Sequence, residues 1–557
     1  MRQAHQSISQ AKGRRQIRYQ SDVYSHGYAL VLIAFAAELN SLFSSFFILK
    51  YYFLKEKDMQ AFFDKLTSIV SFINNNILWG IPMILIILGA GIFMTVRTRA
   101  LQLRKFGTSV SSTIVPTIHE MVHGKKHVHN QKEKSISQFE AFSSAIAGTV
   151  GTGNILGVAG AMLSGGPGAV FWMWVSAFFG LVTNYSENVL GLYYRKKDAE
   201  GNFSGGPMYY IENGLGWKPL AKIFALCCTL AAVGMGMVQV NSISDTVQTA
   251  ITSDPAQRQV IAWIVGIAVF ALTALIVIGG IQRIGKVAAL IVPFMVLLFI
   301  IMALIILCIN FTAVPAAFAL IFKSAFSFKA VAGGLFGYTI MMAMRYGFAR
   351  GIFSNEAGLG SSVIAHSASD TKEPVKQGLW GIFEVFLDTF VICTLTALTL
   401  LTVGIYDFSN FLSIEAGKAE VARSAFAETF GNFGVTAFTV ILPLFAFTTV
   451  LAWSYYGEKA AEYLFGSKKG GLAFKIVYVL LLIVGAVTSS AFVWALDDMF
   501  NAMMAIPNLI GVIGLSGVVV KVSKNYFDRK AGKDVEPMLS AYPELNEEFK
   551  KDLDNEN

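Results

Sequence analysis

The sequence predicts an all-α polytopic membrane protein of about eleven spans, about ten of them arranged as a five-plus-five inverted repeat behind one extra N-terminal span. Three observations carry this reading. Of 557 residues, 54% are hydrophobic and only 14% are charged, where soluble chains average about 25% charged. Apolar runs long enough for a hydrocarbon core about 30 Å thick recur along the chain. Two of those runs are interrupted near their middles by clusters of glycine and small polar residues. None of the runs alternates with a period of two, which argues against a β-barrel.

Residues 1–58 hold a basic start (KGRRQIRYQ), an apolar patch (YALVLIAFAA, 28–37) and Phe- and Tyr-rich sequence. They read as an N-terminal extension: a signal peptide, an extra span, a disordered segment, or sequence upstream of the native start. Met59 opens an amphipathic lead-in, MQAFFDKLTSIVSFINNNILWG. Lys55-Glu56 can be encoded AAG-GAG, a purine-rich ribosome-binding sequence, so the expectation is that the native chain begins at Met59. Region 59–96 is then the lead-in with the extra span, and 97–139 is a basic loop. Region 140–309 is the first five-helix repeat, 310–523 the second, and 524–557 a tail.

Spans are expected near 75–96, 140–163, 167–194, 218–250, 258–281, 286–309, 331–365, 377–404, 432–465, 472–493 and 497–522. Charge tests the count. Alternate loops carry RTRALQLRK, KHVHNQKEK, YRKKD, QRIGK, TKEPVK, GSKKGG and KVSKNYFDRK, whereas the loops between them carry SDPAQRQ or mixed charge. The excess of Lys and Arg marks the first set, and the C-terminus with it, as cytoplasmic in a cell membrane. It also accounts for the net charge of +8 without a nucleic-acid partner. Cys227, Cys228, Cys308 and Cys393 lie in apolar spans without ligand spacing and read as small core residues. His119, His123, His127 and His129 share the basic loop with no HExxH and no cysteine partners, so they read as a solvated loop.

The first interruption is GTVGTGNILGVAGA, 148–161. Each glycine costs a helix roughly 1 kcal/mol against alanine, and in lipid a break is tolerated only where it is buried or lines a polar cavity. The matching helix of the other half carries ARGIFSNEAGLGSS. Close packing through GxxxG-like spacing could account for Gly157 and Gly160 alone. Paired breaks at corresponding places, with Asn154 and Asn355 inside them, are instead the pattern of a secondary transporter's midplane binding site. A phosphate loop is excluded, since no strand precedes the glycines and no Lys-Ser/Thr follows. No Ser-His-Asp or Cys-His set lies in the spans, which argues against a membrane enzyme, and a channel would not need paired breaks.

These stretches, together with SGGPGAVFWMW, NYSEN, FSGGPMYYIENGLG and ARGIFSNEAGLGSSVIAHSA, resemble the alanine or glycine:cation symporter family. The resemblance runs from about Met59 to about residue 523; the 1–58 extension has no counterpart in the family pattern. It implies the leucine-transporter-type fold and sodium-coupled import of small neutral amino acids, alanine and glycine, with no cofactor beyond sodium as coupling ion. A proton-coupled or broader-specificity carrier of the same fold is the alternative.

Backbone amides of Gly151, Thr152 and Gly153 at a half-helix N-terminus suit a substrate carboxylate, and Asn154 can add its side-chain amide. Phe353, Ser354 and Asn355 offer freed carbonyls to an ammonium. Gln239 is either an interhelical hydrogen-bonding residue or a second polar anchor; the resemblance puts it in the substrate site. Thr449 and Trp453, one turn apart, face the same way, and the resemblance turns that face into the site, where a Trp and a Phe leave room for a hydrogen or a methyl group. The same resemblance implies a sodium site at the carbonyls of Ala147 and Val150 with the hydroxyls of Thr448 and Thr449. Among intramembrane charges, Glu187, Glu356, Glu384, Asp388 and Glu458 are acidic and Arg345 and Arg350 basic, each expensive unless paired. Glu384 and Asp388 share a helix face and are expected to pair with cations or water rather than each other. Arg350 either binds the substrate carboxylate or pairs with Glu356.

Overall fold

The apolar runs fold as helices. In the computed structural model the described residues are 56–123, 135–198, 201–326, 340–403 and 418–556. The chain forms two units, Met1–Leu66 and Thr67–Asn557. Of the first, only the start of the helix Glu56–Ile73 is described, so nearly all of the 1–58 extension lies outside the described residues. So do His127 and His129, the expected span beginning at 331–339, and 404–417 of the loop before residue 432.

The extra span is α1 (Ile81–Arg97), with Pro82 in its first turn. The first broken helix consists of α2 (Gln138–Thr149), opened by a reciprocal Ser137–Glu140 cap, and α3 (Leu156–Gly165), bent 55° from it. Then come α4 (Gly168–Tyr193), α5 (Lys218–Ile251), α6 (Pro255–Val277) and α7 (Gly280–Ile309). The second broken helix consists of α8 (Ile340–Asn355) and α9 (Ser362–His366). It is followed by α10 (Pro374–Val385), which widens into a π-helical stretch, Phe386–Cys393, and runs on to Thr402. The remaining long helices are α11 (Asn432–Phe465), α12 (Lys468–Val487), α13 (Ser490–Gly514) and α14 (Ser516–Lys530), the last two bent by 58°. A tail helix, α15, covers Pro543–Glu556.

Six described helices are long and apolar enough to cross a membrane, and bent pairs raise the number to 9. The other two expected spans fall to α4, 26 residues long with a polar but buried second half, and to the second broken helix. The expected span 472–493 ends earlier, at Val487, because Ser489 caps the next helix by accepting from the Phe492 amide. Three loops expected from composition contain short helices, Phe106–His123, Val314–Ala325 and Lys418–Phe430.

The packing interleaves the halves. α4 of the first half packs on α8 and α10 of the second, while α5 and α6 pack on α11 and α12. Small residues permit the approach: a Cβ on Gly347 of α8 would lie 2.4 Å from the Ala169 carbonyl oxygen of α4. Leu290, Phe294, Leu297, Ile301 and Ile305 form an exposed apolar stripe on α7, at the spacing of one helix face. That stripe is suited to lipid. The result is the leucine-transporter-type five-plus-five fold with one extra N-terminal span.

Candidate functional site

At the first break the chain leaves helical geometry at Gly151, which is extended (φ −132°, ψ −150°). Its amide donates to Asn154 Oδ1 at 2.9 Å and to the Thr149 carbonyl at 3.0 Å. The Thr152 amide donates to Gln239 Oε1 of α5 at 3.2 Å. In an unbroken helix these two amides would have bonded the carbonyls of Ala147 and Gly148, so both carbonyls lose their helical donors. Space is tight here. A Cβ on Gly151 would stand 2.5 Å from Thr449 Oγ1 and 3.3 Å from Gln239 Oε1, and one on Gly153 3.0 Å from the Phe353 ring. The structure thus gathers Gly151, Thr152, Gln239 and Thr449 at one place and Gly153 with Phe353 beside it.

At the second break Glu356 (φ 55°), Gly358 (φ 92°) and Gly360 (φ 75°) are left-handed. For a non-glycine residue this costs roughly 1–2 kcal/mol. The Glu356 carboxylate is held by Trp453 Nε1 at 2.8 Å and by the Ser361 hydroxyl. The Ala357 amide turns to Asn355 Oδ1 at 3.1 Å and the Gly358 amide to Glu187 Oε1 at 3.1 Å. The carbonyls of Phe353 and Ser354 therefore lose the donors a continuing helix would supply.

Asp388, fully buried on the π-helical stretch, joins the two breaks. It accepts from Asn154 Nδ2 at 2.5 Å, Ser354 Oγ at 2.9 Å and Thr389 Oγ1 at 2.8 Å, and Asn355 Nδ2 donates to Thr389 Oγ1 at 3.0 Å. The wider π turn lets the adjacent Asp388 and Thr389 both face inward. One expectation changes here. Asn154, expected to offer its amide to a substrate, has that amide on Asp388 and its oxygen on the Gly151 amide. The side chains of Ser354 and Asn355 are tied into the same cluster, which leaves the expectation for their backbone carbonyls untouched.

The sodium expectation is brought together only in part. Thr449 meets the first break, but the Thr448 hydroxyl donates to the Phe445 carbonyl at 2.9 Å and lies 3.6 Å from Met295 Sδ on α7. Ala147 and Val150 are buried at the end of α2 and just beyond it, and α2 packs on α11.

Arg350 corrects the expected pairing with Glu356. Its partner is Asp498 of α13, and its guanidinium lies over the rings of Phe353 and Trp494 at 5.3 and 5.5 Å. Those two rings stack with centroids 5.2 Å apart. Glu384, expected to meet cations or water, pairs with His366 Nε2 at 2.8 Å, while Gln377 Nε2 lies 2.6 Å from the other ring nitrogen. Glu458 pairs with Lys475 at 2.7 Å, and Arg345 with Asn75. Asp497, Asp498, Asn508 and His366 were missed by sequence reasoning. The two aspartates stand at the edge of the expected span 497–522, where charge reads as a span terminus.

A family model described as the sodium:alanine symporter family matches residues 63–540. The sodium/alanine symporter AgcS of Methanococcus maripaludis is 42% identical over 464 residues, covering 82% of this chain and 97% of that protein. An uncharacterized transporter of Haemophilus influenzae is 40% identical, covering 83% and 96%. A probable sodium/glutamine symporter of Bacillus subtilis, GlnT, is 36% identical, covering 83% and 91%. Among solved structures, MhsT in complex with L-phenylalanine matches with a TM-score of 0.51 at 13% identity, covering 70% of this chain and 98% of that one, a likeness of fold. With its broken helices and with these matches, the chain belongs to the sodium:alanine symporter family.

Proposed function

We propose that this multi-pass transporter imports small neutral amino acids, alanine and glycine, together with sodium, by alternating access across the cell membrane. The observation that carries the reading is the meeting of the two breaks, Gly153 against Phe353, with Thr449 of α11 and Gln239 of α5 closing on Gly151 beside it. The amides of Gly151, Thr152 and Gly153 receive the substrate carboxylate, whose oxygens replace Asn154 Oδ1 and the Thr149 carbonyl on the Gly151 amide and Gln239 Oε1 on the Thr152 amide. The Phe353 and Ser354 carbonyls take the ammonium. Phe353 and Trp453 wall the side-chain end, which favours small substrates.

Sodium needs hard oxygen donors. The carbonyls of Ala147 and Val150 with the hydroxyls of Thr448 and Thr449 are one candidate set. The Asp388 cluster, which touches both breaks, is the other. A fully buried carboxylate held by neutral donors alone favours a nearby cation. Sodium bound there would favour one arrangement of the breaks over another and so couple its gradient to the substrate. The cycle uses no cofactor beyond this ion. The basic loops support a cytoplasmic C-terminus. A broader substrate range is the second reading, since the GlnT relative is described as a probable sodium/glutamine symporter.

Equilibrium binding of labelled alanine to the purified protein tests this, in sodium or in choline, with glycine or leucine as competitor. Binding that needs sodium and yields to glycine but not leucine is the expected result. Binding in choline equal to that in sodium removes the coupling assignment, and displacement by leucine removes the size limit.

A further inference from the structure

The mechanism above leaves one buried group unused. Asp497 lies on α13, three residues after Trp494 and beside Asp498, and is fully buried. Neither of its carboxylate oxygens makes a hydrogen bond of full geometry among the described residues, and the side chain that interacts with it is Asn501. Asn501, one turn further along and also fully buried, interacts with Asp497 and makes no hydrogen bond of full geometry to any other described residue. Both side chains belong to the face of α13 that is packed into the protein. A Cβ on Gly234 of α5 would lie 3.1 Å from Asp497 Oδ1, so the carboxylate abuts a bare stretch of helix rather than a cation. The arginine that acts on it, Arg350, is already bonded to Asp498. Lys418, the other nearby cation, sits with Nζ 4.4 Å over the Trp494 ring and interacts with Arg350 and Asp498. The further acid facing Asp497 is Glu356, which is bonded to Trp453 and Ser361.

Charge can be counted at this junction. Among the described residues named by these interactions, Asp497, Asp498 and Glu356 are acids and Arg350 and Lys418 bases, and both bases interact with Asp498. A fully buried carboxylate whose neighbours are one neutral amide and an arginine already committed to Asp498 is costly in its charged form. The protein's own residues leave it to be balanced from outside. We propose that Asp497, with Asn501 beside it, is a monovalent-cation position distinct from the Asp388 cluster and from the Thr448–Thr449 set, taking a sodium ion or a proton from the aqueous phase. Sodium would be ligated by the Asp497 oxygens and Asn501 Oδ1. A proton would turn the acid into a donor to the Asn501 oxygen and leave its carbonyl to accept from the Asn501 nitrogen. In both cases the ion neutralises the carboxylate next to the Arg350–Asp498 bridge that joins α8 to α13. The inference rests on the transport reading and adds a residue to its coupling.

The test is alanine uptake into proteoliposomes as a function of sodium concentration, at mildly acid, neutral and mildly alkaline pH, for the wild-type chain and D497N. If sodium is the occupant, the apparent order in sodium falls by about one in D497N and half-saturation moves to higher sodium. If a proton is the occupant, the order in sodium is unchanged, and the wild-type dependence of uptake on pH disappears in D497N. Either outcome supports the position and names its ion. A D497N protein that matches wild type in sodium order, half-saturation and pH response overturns it. Wild-type uptake that ignores sodium overturns the transport reading instead, so the two failures are distinguishable. Should D497N not fold, N501A carries the test: it removes the proposed neutral ligand without changing charge, a shift in half-saturating sodium or in the pH midpoint supports the position, and an unchanged half-saturation and pH response overturns it.

Discussion

Gly151 has room for a hydrogen where any other residue would place a carbon 2.5 Å from Thr449 Oγ1. Gly151→Ala must therefore push α11 from the break or rotate Thr449, an overpacking of about 1–3 kcal/mol. Uptake is expected to fall at least about tenfold, since misplacing a binding group by about 1 Å can cost two orders of magnitude. Gly89→Ala, on α1 where an added Cβ meets nothing within 4 Å, should leave uptake unchanged and serves as the control. At Asp388 the expectation is different. Asp388→Asn keeps the shape but removes the charge, and half-saturating sodium should rise about tenfold, equivalent to about 1.4 kcal/mol; a sodium titration of uptake reads it. The identity of both residues was legible from the sequence, one as a glycine inside a broken helix and one as an intramembrane acid. Their partners were not. The π-helical stretch Phe386–Cys393 resets the facing of Asp388 and Thr389, and a period of 3.6 does not foresee that shift. Asn154 was read toward the substrate because nothing in its neighbourhood names Asp388, which is 234 positions away.

Helix by helix, the site depends on α8 being pinned to α13. Arg350 and Asp498 are 148 positions apart in sequence, and each side chain keeps 14% of its surface exposed. Removing one partner of such a pair leaves the other charge uncompensated, which for a buried pair costs about 3–5 kcal/mol; the residual exposure puts this one toward the lower end. Arg350→Ala should lower the melting temperature more than the double variant Arg350→Ala with Asp498→Ala, and the cycle gives the coupling directly. Losses that simply add, the double variant losing the sum of the two single variants, would show the pair to be uncoupled. Sequence reasoning offered Glu356 as partner because it is near Arg350 in the chain and absent pairs on other helices could not be seen. The breaks themselves were readable because glycine, threonine and asparagine inside an apolar run contradict their surroundings whatever the tertiary fold. The helices within loops, such as Lys418–Phe430, were not, since their apolar positions are too few to stand out from mixed-charge sequence.

Across the whole molecule, the spans and their division into halves follow from hydrophobic length and from the symmetry of the two breaks. The tail was read only as charged sequence after the last span, yet it docks. Arg195, at the end of α4, bonds the carbonyls of Ser367, Ser369 and Thr371 at 3.2, 2.6 and 2.6 Å. Its guanidinium lies 3.8 Å from the Phe203 ring centre and 5.3 Å from that of Phe549 on α15. Phe203, Leu539, Leu545 and Phe549 form a small separate core there. Phe549→Ala removes a fully buried ring and should cost about 3–5 kcal/mol locally, lowering thermal stability while leaving the dissociation constant for alanine unchanged. A changed dissociation constant would mean that the tail is linked to the substrate site.

The most direct test of the central claim is accumulation of labelled alanine in proteoliposomes under an inward sodium gradient, with choline replacing sodium as the control. The account predicts accumulation above equilibrium with sodium, its loss in choline, and its suppression by excess glycine but not by excess leucine. Alanine uptake that runs equally well in choline, in protein shown to be folded, would contradict it.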